Sequence, residues 1–290
     1  MPPEFSRLTP VSDWKSAPAV RPQRGVVGRV GSAAAFDLQR WAPSSAAAEF
    51  VEHFWSVSWD LAETESFDST VITFPAVHLT HEWGTDSPRH GHALPATLIH
   101  GVVPEVFTTT IRGRGQVVGA RFRAGGFAAR FGRDAAQYTG RILAADAELF
   151  GAPVQLTDDR GQAAARLDEL IAQNPTGPDP TYRALSALLD RLREDNDVQR
   201  VAQVMDLAPW SARTTQRVFR RYVGMPAKWV LCRYRLQQAA LDIETEPGVD
   251  LADLAARLGW YDQAHFTNDF RAMLGCTPGQ YAARHGLPAE

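Results

Sequence analysis

One stretch of the sequence, "GWYDQAHFTNDFRAMLG" at residues 259–275, carries two kinds of side chain at helical spacing. Phe, Phe, Met and Leu recur on one side of the implied helix, and Gln, His, Thr, Asn and Arg recur on the other. Lys and Glu would be enough to keep an exposed face in solution, whereas amide, hydroxyl and imidazole groups both donate and accept hydrogen bonds. The stretch therefore predicts an amphipathic helix whose polar face recognises a partner through hydrogen bonds.

This helix belongs to an internal repeat. When the C-terminal part of the sequence is laid on itself at an offset of 51 residues, Phe219 aligns with Phe270 and Gly224 aligns with Gly275. The segment that matches the first stretch is "SARTTQRVFRRYVG", and each glycine is typical of a residue that ends a helix. The repeat predicts two helix–turn–helix units, whose second helices would enter successive major-groove segments about one helical turn of DNA apart.

Positive charge is concentrated in the same region. The formal net charge of the chain is −3, yet residues 207–241 contain seven basic residues and no acidic one. A solvated helix face is the ordinary interpretation of one basic helix, but a basic cluster beside a tandem helix–turn–helix favours contacts with phosphates. The basic residues are Arg213, Arg217, Arg220, Arg221, Lys228, Arg233 and Arg235.

The C-terminal part resembles a known family. "RTTQRVFRRYVG", "RYRLQQAALDI" and "LADLAARLGWYDQAHFTNDFRAMLGCTPGQYA" resemble the DNA-binding domain of AraC/XylS-type transcription regulators, over about residues 182–285. The resemblance implies seven helices, with one long helix joining the two reading units. It also implies that the polar faces contact bases, since Arg can bridge guanine, Gln and Asn can bridge adenine, and Ala can pack on a thymine methyl group. The predicted base-reading residues are Arg213, Gln216, Arg217, Gln263, Ala264, His265 and Asn268, and the predicted phosphate contacts are Arg220, Arg221 and Thr267.

Two positions of the recognition helices depart from the family pattern. Thr215 stands where the first recognition helix usually has Leu, which predicts weaker core packing of that helix. Asn268 replaces the usual Arg, which argues against guanine readout at that position. The apolar positions of the region are predicted to form its core, namely Trp229, Leu236, Ala239, Leu258, Phe266 and Phe270.

The N-terminal half has the pattern of strands and turns. "FVEHFWSVSWDL", "STVITFPAVHLTHEW", "ATLIHGVVPEVFTTTI" and "GQVVGARFRA" are short runs rich in Val, Ile, Thr and aromatic residues, separated by Pro and Gly. They predict a β-sandwich or small barrel, which ends at Gly125-Gly126, where helical periodicity begins. "FVEHFWSVSW", "TFPAVHLTHEWG" and "GRGQVVGARFRAGGFAARFG" resemble an uncharacterised, cupin-like N-terminal domain that is often fused to such DNA readers. That resemblance names a domain and leaves its ligand unknown.

Histidines cluster in this half without a recognisable metal motif. His90 and His92 form an HxH pair, but no carboxylate follows them. His78 and His81 lie beside Glu82, but on a strand a spacing of three places two side chains on opposite faces. The sequence therefore predicts no metal site, no cofactor and no catalytic residues, and the protein is predicted not to be an enzyme. An apolar pocket anchored by Arg121 or His78 stays open as an alternative, with a lining of Phe54, Trp55, Trp59, Phe74 and Trp83.

The predicted fold class is α+β, with a β-rich N-terminal domain followed by an all-α tandem helix–turn–helix domain. Residues 1–32 are predicted to be a disordered arm, residues 33–173 a sensor or dimerisation domain with C-terminal helices, and residues 181–287 the DNA-binding domain. Residues 174–180, "NPTGPDP", are predicted to be the linker and hinge, with Thr181 as the N-cap of the next helix.

The predicted function is sequence-specific regulation of transcription, set by a ligand or by dimerisation. The predicted partners are double-stranded DNA, a small-molecule effector, a second copy of the chain, and RNA polymerase if the protein is an activator. Two cysteines and no apolar run of about 18 residues favour a cytoplasmic, nucleoid-associated protein without a membrane partner. A metal-cupin enzyme and a protein-interaction module, each tethered to DNA, remain as alternatives.

Overall fold

The N-terminal half forms two antiparallel sheets. The computed structural model describes residues 36–71, 73–145, 147–151, 154–173, 179–246 and 248–285. Six strands pair in the order β1-β2-β7-β4-β5-β8, and β3 pairs with β6 in a second sheet. The strands are β1 (Phe36–Trp41), β2 (Val51–Asp60), β3 (Ser66–Val71), β4 (His78–Gly84), β5 (Ala96–His100), β6 (Phe107–Arg112), β7 (Arg114–Phe122) and β8 (Ile142–Ala144).

The two faces of the six-stranded sheet have different partners. Trp59 packs with Ile111 of β6 and with Val117, so one face is covered by the two-stranded sheet. Glycines admit the indole rings on this face, because a Cβ atom at Gly115 would lie 2.5 Å from Trp59 and one at Gly119 would lie 2.8 Å from Trp55. This arrangement is a β-sandwich, as the sequence predicts, and we call the face towards β3 and β6 its inner face.

Helices cover the other face of the large sheet. They are α1 (Gly126–Phe131), α2 (Ala147–Phe150) and α3 (Arg160–Ala172), with a short 3-10 helix at Ala135–Gln137 between α1 and β8. Asp159 begins α3 by accepting a hydrogen bond from the Gln162 N–H at 2.8 Å. Leu167 and Ile171 of α3 are buried in the same cluster as Phe54 and Phe122 of the sheet.

Seven α-helices follow in the described residues from 179 to 285. They are α4 (Pro180–Glu194), α5 (Val201–Leu207), α6 (Ala212–Val218), α7 (Ala227–Thr245), α8 (Leu251–Arg257), α9 (Gln263–Leu274) and α10 (Pro278–His285). The prediction that Thr181 caps α4 is wrong. Asp179 is the N-cap and accepts from the Tyr182 N–H at 2.8 Å, with Pro180 inside the first turn, where its missing N–H leaves no bond unmade.

The two helix–turn–helix units belong to different hydrophobic cores. Phe219 of the first unit is buried in the cluster that contains Phe50 and Phe122 of the β-domain. Leu236, Phe266 and Tyr281 form a separate cluster in the second unit. Since α4 and the first unit share a core with the sheet, the packing that joins the two halves extends well beyond the predicted linker.

The structure tests the predicted fold class and the predicted strands. The α+β fold class is confirmed. The four predicted strand runs contain β2 and β5 and overlap β3, β4, β6 and β7, although β3 begins three residues before its run. The sequence runs missed β1 and β8. The predicted arm at residues 1–32 and most of the predicted linker lie outside the described residues. Across the described parts of the chain, no helix combines the length and hydropathy needed to cross a membrane.

Candidate nucleic-acid interface

The first candidate reading helix is α6. Ser211 caps it by accepting from the Thr214 N–H at 3.4 Å, so the exposed residues that follow stand on an ordered first turn. Arg213, Gln216 and Arg217 are all exposed and follow the i, i+3, i+4 spacing of one helix face. The structure thus brings the three predicted base-reading residues of this unit together on one surface.

Thr215 is fully buried on the opposite side of α6. Its hydroxyl donates to the backbone carbonyl of Ser211 at 3.1 Å, so no buried polar group is left unmet. A threonine here still fills less volume than a leucine, and hydrophobic packing comes from Val218 and Phe219 instead.

The C-terminal end of α6 widens into a π-helical turn at Phe219–Val223. The predicted phosphate contacts Arg220 and Arg221 lie in this turn and are exposed. The turn ends at Gly224, which has a φ of 85° and is the C-cap that the sequence repeat predicts. The two arginines therefore extend the basic surface of α6 towards the end of the unit.

The second candidate reading helix is α9. Asp262 caps it and accepts from the His265 N–H at 2.7 Å. The base-reading residues predicted for this unit are all exposed, and the predicted phosphate contact Thr267 is half-buried. Gly275 ends the helix with a φ of 75°, as Gly224 ends the first unit. The exposed residues are Gln263, Ala264, His265 and Asn268.

His265 is less free than the other exposed residues of α9. Its Nε2 atom lies 3.4 Å from Oδ2 of Asp269, one turn further along the helix. The same carboxylate oxygen accepts from the Trp260 indole at 2.9 Å, which fixes the position of Asp269. Any contact that His265 makes with a partner competes with this neighbour.

The helix α7 joins the two units. At 19 residues it is about 28 Å long, which is the scale of one helical turn of DNA. It has no break between Ala227 and Thr245, so the two reading helices are attached to one continuous element.

Two of the seven residues that the sequence places in the basic cluster do not lie on the exposed basic surface. Arg233 is 2% exposed and donates to the backbone carbonyls of Val103 and Pro104, at 3.2 and 2.8 Å. Arg235 is half-buried and donates to the Val198 carbonyl at 3.0 Å. Burial lowers the pKa of the Arg233 guanidinium to about 10, so it remains charged at neutral pH while it attaches α7 to the β-domain. The remaining basic residues are exposed, namely Arg213, Arg217, Arg220, Arg221 and Lys228.

The sequence interpretation overlooked Tyr261, which lies in the turn before α9. Its side chain is 94% exposed, although large apolar surfaces are usually covered. The sequence signal for Tyr261 is its position, because Tyr261 directly precedes Asp262, the N-cap of the reading helix α9. An aromatic hydroxyl at that place adjoins the predicted base-reading surface.

The N-terminal histidines separate as the strand spacing predicts. His78 pairs with Arg121 and His100 across the sheet, whereas His81, three residues on, lies on the opposite face and contacts the Thr97 hydroxyl at 2.6 Å. Burial, followed by the nearby Arg121, lowers the pKa of His78 to about 3.

The alternative of one aromatic pocket is wrong, because adjacent residues on a strand face opposite ways. Trp55 lies on the inner face, whereas Phe54 lies on the helix-covered face. The proposed anchor Arg121 is already engaged, since it pairs with Glu52 at 2.9 Å and lies 3.6 Å above the Phe74 ring.

Comparison with known families agrees with this division of the chain. Residues 206–284 match a family model described as a helix-turn-helix domain, and residues 39–144 match one described as a domain of unknown function. The C-terminal part contains a helix–turn–helix domain and is similar to that of AraC/XylS-type regulators. The resemblance that the sequence predicts is confirmed, including an uncharacterised N-terminal domain.

Two relatives align with parts of the chain. An uncharacterised HTH-type transcriptional regulator of Haemophilus influenzae is 29% identical over 99 residues, which are 34% of this chain and 33% of that protein. The HTH-type transcriptional activator AarP of Providencia stuartii is 33% identical over 94 residues, which are 32% of this chain and 64% of AarP. This chain thus spans less than two thirds of either relative.

Among solved structures, the DNA-binding domain of AdpA in complex with a target DNA is 28% identical. The match covers 37% of this chain and 92% of that one, with a TM-score of 0.31. A TM-score of that size does not indicate a shared overall fold, so the assignment of the helix–turn–helix domain depends on the family match.

Proposed function

We propose that this protein is a sequence-specific DNA-binding transcription regulator that reads two successive major-groove segments. The observation that carries the proposal is the pair of capped helices α6 and α9, each of which exposes hydrogen-bonding side chains on one face. In the first unit Arg213, Gln216 and Arg217 would contact bases. In the second unit the base contacts would come from Gln263, Ala264, His265 and Asn268.

The phosphate contacts are proposed on the same surface. Arg220 and Arg221 stand at the end of the first reading helix, where they would position the unit without specifying sequence. Thr267, whose side chain is half-buried, would do the same in the second unit. The exposure of these arginines, and the absence of acidic residues from positions 207–241 of the sequence, support this assignment.

The β-domain would set the activity of the reader by binding a small-molecule effector, by forming a homodimer, or both. The shared core and the contacts of Arg233 with Val103 and Pro104 support a direct mechanical link between the β-domain and α7. An effector shifts such a protein between arrangements only if it binds one of them better. As a regulator the protein would act in the cytoplasm at the nucleoid, as a non-enzyme, and would contact RNA polymerase if it activates.

The test is selection of bound sequences from a random duplex library. Wild type is compared with a double variant, Gln216→Ala plus Arg217→Ala. The matched control is Gln162→Ala plus Arg166→Ala on α3, which removes the same two side-chain types from an exposed helix face far along the chain. Binding is measured at two salt concentrations, since phosphate contacts weaken as salt rises.

We expect wild type and control to enrich a motif of two blocks about one helical turn apart. The reading variant should lose preference in one block only, at roughly 1–3 kcal/mol per lost contact. Absence of any enriched motif with wild type, even at low salt, would contradict sequence-specific reading. Equal loss in the α3 control would show that α6 does not carry it.

A further inference from the structure

The inner face of the β-sandwich carries a buried polar cluster that the sequence did not predict. Glu82 of β4 and His100 of β5 lie on paired strands, and both point to the face that also carries His78 and Thr80. A metal motif built on His90 and His92 needs a carboxylate after them, whereas Glu82 comes before His90, on the preceding strand.

The contacts around Glu82 use both of its carboxylate oxygens. Oε1 accepts from the Thr80 hydroxyl at 2.9 Å and lies 3.1 Å from His100 Nε2. Oε2 accepts from Arg89 Nη1 at 3.3 Å and lies 3.9 Å from His90 Nε2. The side chains of Glu82, His90 and His100 are 2%, 15% and 13% exposed, so the cluster is largely shielded from water.

His90 reaches the cluster from a turn between β4 and β5. The turn is closed by backbone hydrogen bonds of 2.9 and 2.8 Å between Arg89 and His92. His90 has a φ of 52°, a left-handed conformation that histidine adopts more readily than most residues. Its ring meets that of His100 edge-on at 5.3 Å, and Phe107 of β6 lies against both rings.

We propose that Glu82, His90 and His100 bind a divalent transition-metal ion. One oxygen and two imidazole nitrogens from these residues lie within 4.8 Å of one another. An ion about 2.0–2.2 Å from each ligand would hold them about 3.4 Å apart, so small side-chain rotations would close the site. Two imidazoles and one carboxylate suit zinc, iron or nickel, whereas magnesium and calcium prefer oxygen ligands.

The surrounding residues have the roles expected of a supporting shell. Thr80 hydrogen-bonds Glu82 and lies 3.0 Å from His100, so it can orient both ligands. Arg89 holds the second carboxylate oxygen, and Gly84 makes room for it, because a Cβ there would lie 2.7 Å from Arg89 Nη2. A simple ion pair explains Glu82 and Arg89, but it does not explain two imidazoles converging on the same carboxylate. Three protein ligands leave a coordination position open for water or a further ligand.

The test is zinc binding by the full chain, with any polyhistidine tag removed and the protein freed of metal by a chelator. Zinc binding is measured by calorimetry and by metal analysis after dialysis. The ligand variants are His90→Asn, since asparagine also tolerates a left-handed backbone, and His100→Gln. The control is His92→Gln, which removes a histidine from the same turn but outside the cluster.

We expect one zinc ion per chain in wild type and control, and an affinity at least about 10-fold lower in both ligand variants. Circular dichroism and melting in metal-free buffer report whether each variant folds. If His100→Gln does not fold, the comparison of His90→Asn with His92→Gln decides, since His90 lies in a turn. Substituting Co²⁺ gives a second readout, because its visible absorption in wild type should differ from that of the aqueous ion and return to it in His90→Asn. Retention of no zinc by wild type, or equal binding by wild type and His90→Asn, would overturn the proposal.

Discussion

The two repeat-related glycines offer a matched test of how the reading units are attached. Gly224 and Gly275 both end a reading helix, with φ values of 85° and 75°. A Cβ atom at Gly224 would lie 2.5 Å from Thr139 Oγ1 and 3.0 Å from the Ala135 carbonyl oxygen. A Cβ atom at Gly275 would come no closer than 3.6 Å, to Val106, which is ordinary contact. The substitutions Gly224→Ala and Gly275→Ala therefore share a backbone penalty and differ in what the new methyl group meets.

The expected magnitudes follow from these distances. A left-handed alanine costs about 1–2 kcal/mol, which is offset by about 0.4–1 kcal/mol because alanine restricts the unfolded chain. Gly275→Ala should therefore lower the free energy of unfolding by about 1 kcal/mol. At Gly224 the Thr139 hydroxyl can turn away only by giving up its 3.0 Å bond to the Gly224 carbonyl, worth about 1 kcal/mol. The Ala135 carbonyl is backbone and must shift, at about 1–3 kcal/mol, so Gly224→Ala should cost about 3–5 kcal/mol in total.

The assay is urea unfolding followed by tryptophan fluorescence and circular dichroism. Gly132→Ala serves as a control for backbone strain alone, because Gly132 has a φ of 68° and no atom within 4 Å of an added Cβ. Equal losses of stability for Gly224→Ala and Gly275→Ala would refute the argument that the first unit is packed against the β-domain at this point.

Three further predictions follow from other contacts. Burial and the nearby Arg121 lower the pKa of His78 in the folded protein to about 3, from the ordinary value of 6.5 that applies to the unfolded chain. Between pH 6.5 and pH 3 the unfolded chain therefore binds a proton at His78 that the folded protein does not, so stability is lost as pH falls. The free energy of unfolding should decline from pH 6.5 by up to about 1.4 kcal/mol per pH unit, and urea titrations at pH 7 and 5 should show a shallower decline in His78→Gln. An unchanged slope in that variant would contradict this. Tyr222→Phe should cost about 1 kcal/mol in thermal unfolding, since its hydroxyl donates to the capping carboxylate of Asp179 at 2.7 Å, and an unchanged melting temperature would show that water replaces the bond. Tyr261→Ala should leave stability within about 0.5 kcal/mol but weaken binding to the selected duplex, and equal affinity would remove Tyr261 from the interface.

Much of the helical half could be predicted from the sequence because each helix shows its own period and its own cap. The repeat placed the C-caps Gly224 and Gly275 correctly, since a glycine that ends a helix is a local signal. The sequence predicts the wrong cap for α4 because the prolines of residues 174–180 indicate a loop, whereas Pro180 stands in the first turn of the helix, where proline is well tolerated.

Other features could not be predicted, because they depend on which segments meet. Counting charges placed Arg233 on a basic surface, but only tertiary packing shows that it is buried against Val103 and Pro104. The register of β4 and β5 likewise decides that Glu82 and His100 approach each other, although they are 18 residues apart. No periodicity within one strand contains that information.

The most direct measurement changes the spacing between the two blocks of a selected duplex. Because α7 is one unbroken helix, the two reading helices should be held at one separation and rotation. Inserting 5 base pairs, about half a helical turn, should therefore reduce affinity to that of a duplex with a single block, whereas an insertion outside the blocks should have no effect. Hydroxyl-radical footprints on the unaltered duplex should show two protected regions on one face. Unchanged affinity after the insertion between the blocks, or a footprint confined to one block, would contradict reading by two rigidly linked units.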